Sequence, residues 1–150
     1  LLCQLTLTIW ATQPTEMPER PTPNQSASED RRVGDPVTEL KLLVPLAITE
    51  ARAIEHARRE RNRELHRIRF FVDWGHNYPL WESFTDKYTM EPDDYGLSPQ
   101  LGQRFNQWSR FWQQHFDKGL WLTTGDELVR LLEIEVYDIA VVLPRFRQGE

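Results

Sequence analysis

The alternation of apolar and polar positions is most regular in the segment RIRFFVDW, residues 67–74. Every second residue there is large and apolar: Ile68, Phe70, Val72 and Trp74. A period of two predicts a half-buried β-strand over 67–74 that ends at Gly75. The uninterrupted run IAVVL at 139–143 predicts a second strand, which Pro144 closes. These two strands are the natural pair of a short sheet.

Two segments between these strands carry helical patterns. Ser98-Pro99 is typical of a helix start, and apolar residues follow it at spacings of three or four. They are Leu101, Phe105, Trp108, Trp112 and Phe116. This spacing predicts a helix over 98–117, and a capping box at Thr124 and Glu127 predicts another over 125–137. We therefore expect an α+β domain over 67–150, with both helices on one face of a short sheet.

The part of the chain before this domain has a weaker pattern. Residues 37–66 predict a charged helix, from about 46 to 66, whose second half is almost entirely Arg and Glu. Residues 13–36 are rich in Pro, Ser, Thr and charge, so 1–36 are predicted to form a disordered tail or extension. We interpret the apolar start LLCQLTLTIW as an upstream extension, with a targeting remnant or an edge strand as the alternatives.

Charge and composition narrow the classes of partner. The net charge is −5, but residues 52–69 hold seven Arg against three Glu, and 73–138 hold twelve acids against five bases. The net negative charge repels phosphate and argues against nucleic acid as the main partner. The basic segment 52–69 and the acidic segment 73–138 could complement each other within a chain or in a homo-oligomer. No apolar run reaches the roughly 18 residues of a membrane span. A single cysteine, Cys3, excludes an intrachain disulfide and favours the cytoplasm.

The segment after the first predicted strand holds the best candidates for chemistry. Asp73, His76, Glu82 and His115 are residue types that serve in acid–base catalysis or metal binding. Their spacing matches no zinc motif, and the chain has no phosphate-binding loop or nucleophile elbow. We expect no metal and no cofactor, and interpret Asp73 and His76 first as hydrogen-bonding partners of loop amides. A small metal-binding protein or hydrolase that uses this loop is the alternative hypothesis.

Two groups of side chains are candidates for binding a partner. Tyr78 and Trp81 lie in or after a turn, and Trp81 is expected to be exposed, whereas most other tryptophans fall at core positions. The second group consists of closely spaced arginines in the charged helix. They are Arg58, Arg59, Arg61 and Arg63. Nucleic-acid binding by this helix is a weaker hypothesis, because glutamates are interspersed. His56 and His66, in the same segment, are expected to be solvated surface.

Three stretches, RFFVDWGHNYPLWE, LSPQLGQRFNQWSRFWQQHFD and GDELVRLLEIEVYDIAVVLPRF, together resemble a pattern found in small proteins of high-GC actinobacteria. The resemblance covers residues 67–147. It consists of a strand that ends in D-W-G, a P-L-W step and an aromatic helix that starts with L-S-P. These motifs are structural, so the resemblance implies a fold and no activity. Because no catalytic signature is present, we expect a non-enzymatic, acidic module that binds another protein, of regulatory or immunity type.

Overall fold

The computed structural model describes residues 29–114 and 117–147. Within these ranges the chain forms three α-helices and two small sheets, which confirms the expected α+β class. The strands are β1 (Asp30–Gly34), β2 (Lys41–Pro45), β3 (His66–Phe70), β4 (Leu80–Glu82) and β5 (Ala140–Pro144). The helices are α1 (Glu50–Arg61), α2 (Pro99–Gln114) and α3 (Lys118–Glu135), and a short 3-10 helix covers Pro92–Tyr95. None of the helices in the described part is long and apolar enough to cross a membrane.

The larger sheet has the strand order β4–β3–β5. β3 is antiparallel to β4 and parallel to β5, with His66 opposite Ala140. The predicted pairing of 67–74 with 139–143 is therefore confirmed. A parallel pair needs a long crossover, and here α2 and α3 supply it.

The central strand is shorter than its alternating pattern predicts. β3 ends at Phe70, and one more backbone hydrogen bond joins Phe71 N to Pro79 O at 3.2 Å. The chain then turns, with a positive φ of 78° at Gly75. Trp74, predicted to lie in the core, is consequently 67% exposed. The pattern continued for four residues beyond the point where the backbone leaves the sheet.

The main core lies between this sheet and the two helices. The ring of Phe70 packs against Phe105, Trp108 and Phe146, with centroids 5.5, 5.1 and 5.9 Å away. Gly125 of α3 allows this close approach, because a Cβ there would lie 2.7 Å from Phe146 and 2.8 Å from Trp108. The helices therefore cover one face of the sheet and leave the other face to different neighbours.

The second long helix starts earlier than predicted. α3 begins at Lys118, and the Asp117 side chain caps it by accepting from Leu120 N at 3.0 Å. The capping box predicted for 125–137 lies inside the helix. Extension by two turns buries Trp121, which is only 4% exposed, so tertiary packing outweighs the local start signal.

The N-terminal hairpin is the largest difference from the predicted organisation. β1 and β2 pair antiparallel over Asp30–Gly34 and Lys41–Pro45. The strand β1 lies inside the segment predicted to be disordered, and residues 1–28, including the apolar start, lie outside the described residues. A small second core holds the hairpin against α1. Its buried members are Val33, Val44, Ile48 and Ala53. One buried valine per strand is too weak a signal to stand out in a polar segment.

The charged helix is also shorter than predicted. It starts where the Thr49 hydroxyl accepts from Arg52 N at 3.3 Å, and it ends at Arg61. The chain then reverses at Arg63, which has a positive φ of 57°. The residues from His66 onward join the sheet instead of continuing the helix.

Candidate functional site

The sheet face opposite α2 and α3 borders an open cleft of about 630 Å³. Ile68 and Phe70 point into the core, so the alternation of β3 places Arg67 and Arg69 on this outer face. The end of α1, the outer face of β3, the turn after β4 and the end of β5 all contribute to the lining. Its principal side chains are Arg63, His66, Arg67, Arg69, Phe84 and Leu143.

The arginines of α1 are engaged within the chain. Arg58 and Arg59 both contact Glu64, at 3.3 and 3.6 Å. Arg61 forms an ion pair with Asp35, whose side chain is almost fully buried in the hairpin turn. Three of the four arginines predicted to bind a partner are therefore paired with acidic side chains of the same chain.

Arg63, the fourth, belongs with a different group. Arg63, Arg67 and Arg69 form no ion pair with any residue that the structure describes. The Arg69 guanidinium lies 5.8 Å from the ring centre of Phe71 and 5.1 Å from that of Tyr88. Its Nε and one Nη are buried without a hydrogen-bond partner. The structure thus brings together, on one surface, three cations that have no counter-ion within residues 29–114 and 117–147.

At one end of the cleft, the buried side chain of Glu82 links the exposed His66 to the half-buried Tyr95. Its Oε1 lies 2.6 Å from His66 Nδ1, and its Oε2 accepts from the Tyr95 hydroxyl at 2.7 Å. Burial, and secondarily the hydrogen bond to Glu82, raise the pKa of Tyr95 well above its usual range. Tyr95 is therefore a donor at neutral pH. The cluster ties β4 and the 3-10 helix to the start of β3.

The other predicted chemical residues do not join this cluster. Asp73 Oδ1 accepts from Trp74 N at 2.8 Å, and Asp73 O accepts from His76 N at 3.4 Å. The His76 ring packs against the edge of Trp81, 4.7 Å between centroids. His115 lies outside the described residues. Among the residues that are described, no group of three or more His, Cys, Asp and Glu could hold a metal ion.

His66 and Tyr95 are the members of the cluster that the sequence pattern did not indicate. His66 lies in a run of Arg and Glu, which is typical of solvated surface. Its partner Glu82 becomes a neighbour only because β4 pairs with β3, with Ile68 opposite Glu82. Tyr95 arrives from the long loop through the 3-10 helix. The sequence would indicate this cluster only if the register between β3 and β4 were already known.

The aromatic side chains are distributed differently from the prediction. Trp81 is 3% exposed, so the expectation that it is exposed is wrong. It stacks on Phe71 at 4.8 Å and donates from Nε1 to Phe71 O at 2.9 Å. Tyr78 is half-buried against the main core. The exposed aromatic at the cleft is Phe84, which has a positive φ of 64° and full exposure.

No protein-family model, curated protein or solved structure matches this chain. The resemblance to actinobacterial proteins therefore stays an expectation, and functional inference rests on the site itself.

Proposed function

We propose that this chain is a non-enzymatic protein-interaction module of regulatory or immunity type, acting in the cytoplasm, and that the outer cleft binds its protein partner. The observation that supports the proposal most strongly is the set of three arginines that have no acidic partner among the described residues, next to a fully exposed phenylalanine. Arginine and aromatic residues are the side chains most enriched at binding hot spots.

Phe84 gives the proposal a second support. A bulky residue in the left-handed region is strained, and a fully exposed phenyl ring gains nothing from burial in the free protein. Both costs are offset if the ring packs against a partner. The neighbouring Leu143 is half-buried and extends the apolar part of the cleft.

The test is capture of binding proteins from an extract of the source organism, with the full chain as bait and quantification by mass spectrometry. We expect one protein to be enriched by the wild type, and lost from Phe84→Ser and Arg67→Glu. Leu120→Ser is the matched control, because Leu120 is an exposed apolar residue at the start of α3. Equal enrichment by all four baits, or enrichment by none, would contradict the proposal.

An acid–base enzyme is a second candidate, favoured by the His66–Glu82 contact at the same cleft. A buried carboxylate that orients an exposed imidazole is a common element of general-base catalysis. The hydrolase hypothesis then moves from the Asp73–His76 loop to His66. This hypothesis predicts that the wild type hydrolyses ester or phosphoester test substrates and that His66→Gln abolishes this hydrolysis. Equal rates in the wild type and in His66→Gln would remove it.

A further inference from the structure

The guanidinium of Arg69 is the least satisfied charged group at the outer cleft. Its Nε and one Nη have no hydrogen-bond partner among the described residues, and aromatic rings of Phe71 and Tyr88 lie over it. An arginine cannot lose its proton in a protein, so it stays charged in this partly dry site. Desolvating a cation without a counter-ion is costly, and the aromatic rings return only part of that cost. A bound anion would supply the missing counter-ion.

The surroundings reinforce the positive charge at this position. Arg67 and Arg63 are exposed and line the same cleft. The two carboxylates of the lining, Glu64 and Glu82, are already bonded to other donors of the chain. The free charge that faces a ligand is therefore cationic, although the chain as a whole carries −5.

The cleft also has an apolar side, formed by Phe84 and Leu143. A ligand that satisfies both sides carries a carboxylate flanked by an apolar group. We propose that Arg69 is the receptor for a carboxylate of an acidic segment in the partner protein, with the apolar side chain of that segment packed on Phe84. This inference rests on the proposed function and adds the chemical class of the partner.

A nucleic acid fits the cleft less well. A phosphate backbone presents one charge after another, and it would meet the net negative charge of the chain beyond the three arginines. A carboxylate can accept a charge-assisted hydrogen bond from the accessible Nη of Arg69 and a second one from the exposed guanidinium of Arg67. A site with three cations beside an apolar wall therefore suits an acidic peptide better than it suits a nucleic acid.

The experiment measures fluorescence anisotropy of the full chain with a short labelled peptide of alternating glutamate and leucine, at low ionic strength. The matched peptide has glutamine in place of glutamate. We expect the glutamate peptide to bind at least about tenfold more tightly, and Arg69→Met to remove most of that difference. Arg110→Met is the matched control, since Arg110 is an exposed arginine of α2 that is absent from the cleft lining.

Thermal unfolding provides an independent readout. Arg69→Met should raise Tm in the absence of peptide, because it removes a poorly compensated charge. The glutamate peptide should raise the Tm of the wild type and leave that of Arg69→Met unchanged. Loss of binding together with a gain in stability is the signature of a receptor group, because a merely structural arginine would lower Tm when replaced. Arg69→Lys keeps the charge without the planar fork, and we expect folded protein with weakened binding.

Four results would overturn the inference. The first is equal affinity for the glutamate and glutamine peptides. The second is tighter, Arg69-dependent binding of inorganic phosphate or a single-stranded oligonucleotide, which would assign the site to phosphate. The third is Arg69-dependent self-association in sedimentation, which would make a second copy the occupant. The fourth is partner capture that needs Phe84 but not Arg69. In that case the proposal of an interaction module is retained, and the proposal that Arg69 binds a carboxylate is rejected.

Discussion

The arginines of α1 and those around β3 are close in sequence but differ completely in their surroundings. Arg58, Arg59 and Arg61 contact acidic side chains of the same chain. Arg67 and Arg69, a few residues further on, contact none that the structure describes. The turn at residues 62–65 separates them and sends the second group onto the outer face of the sheet. Residue type therefore does not separate the two groups of arginines, whereas the presence or absence of an acidic partner among the described residues does.

This comparison makes opposite predictions for the two groups. Replacing a group that has internal partners should leave partner binding intact, and it should lower stability only where that group is buried. Replacing a group without them should change binding and leave stability equal or higher.

The largest effect on stability is expected for Glu82→Ala. The substitution removes the acceptor of the Tyr95 hydroxyl and the partner of His66 in a buried site. We expect the free energy of unfolding to fall by about 2–3 kcal/mol, measured by chemical denaturation. Glu82→Gln, which keeps an acceptor oxygen, should lose less, and Glu60→Ala, at an exposed position of α1, should lose almost nothing. A neutral Glu82→Ala would mean that the cluster does not hold β4 in place.

The next effect is a pH dependence that comes from Asp35. The amide of Val37, and further the side chains of Thr38 and Arg61, hold the pKa of Asp35 below its ordinary value of 3.8. A depressed pKa in the folded state adds stability above the unfolded value, and this stability is lost as the pH falls through the folded value.

Wild type should therefore exceed Asp35→Asn in stability at neutral pH, and the difference should shrink below about pH 4. Urea unfolding at several pH values measures it. Glu39→Gln, in the same hairpin turn, is the control. A difference that is constant from neutral to acidic pH would rule out the ionised carboxylate as its source.

A smaller effect on stability is expected at Phe84, where a substitution should raise the free energy of unfolding. Glycine adopts a positive φ without steric cost, so Phe84→Gly should raise the free energy of unfolding by about 1 kcal/mol while it abolishes partner capture. Phe84→Ala keeps a Cβ and should gain much less stability. If glycine and alanine behave alike in denaturation, the backbone strain is not relevant to the site.

The smallest effect is expected for Arg58→Gln. The ion pairs of Arg58 with Glu55 and Glu64 lie at the surface, where such pairs contribute little. We expect unchanged capture of the partner and a Tm close to that of the wild type. Loss of capture in this variant would erase the distinction between the two groups of arginines.

The larger sheet was predictable because its signals are local. The alternation through Ile68 and Phe70, and the β-branched run at 139–143, identify both of its parallel strands without knowledge of the fold. The exposure of Trp74 and the burial of Trp81 were not predictable, because both depend on where β3 ends. The strand stops at Phe70, so Trp74 leaves the core and Trp81 enters the sheet through β4.

The candidate site depends even more on contacts that are distant in sequence. His66, Glu82 and Tyr95 come from three separate segments, and only the register of β3 and β4 brings them together. The arginines were visible in the sequence, but their partners were not. Asp35, which pairs with Arg61, comes from a hairpin turn in a segment that composition indicated to be disordered.

The parallel pairing of β3 with β5 has a consequence for how the protein acquires its fold. During synthesis β3 leaves the ribosome long before β5, since His66 pairs with the region of Ala140. The hairpin pairs residues that are close in sequence, whereas the central strand has no parallel neighbour until β5 has been synthesised. Contacts between distant parts of a chain slow folding. We expect a nascent chain without β5 to expose Ile68 and Phe70, so the risk of aggregation should fall once β5 has left the ribosome.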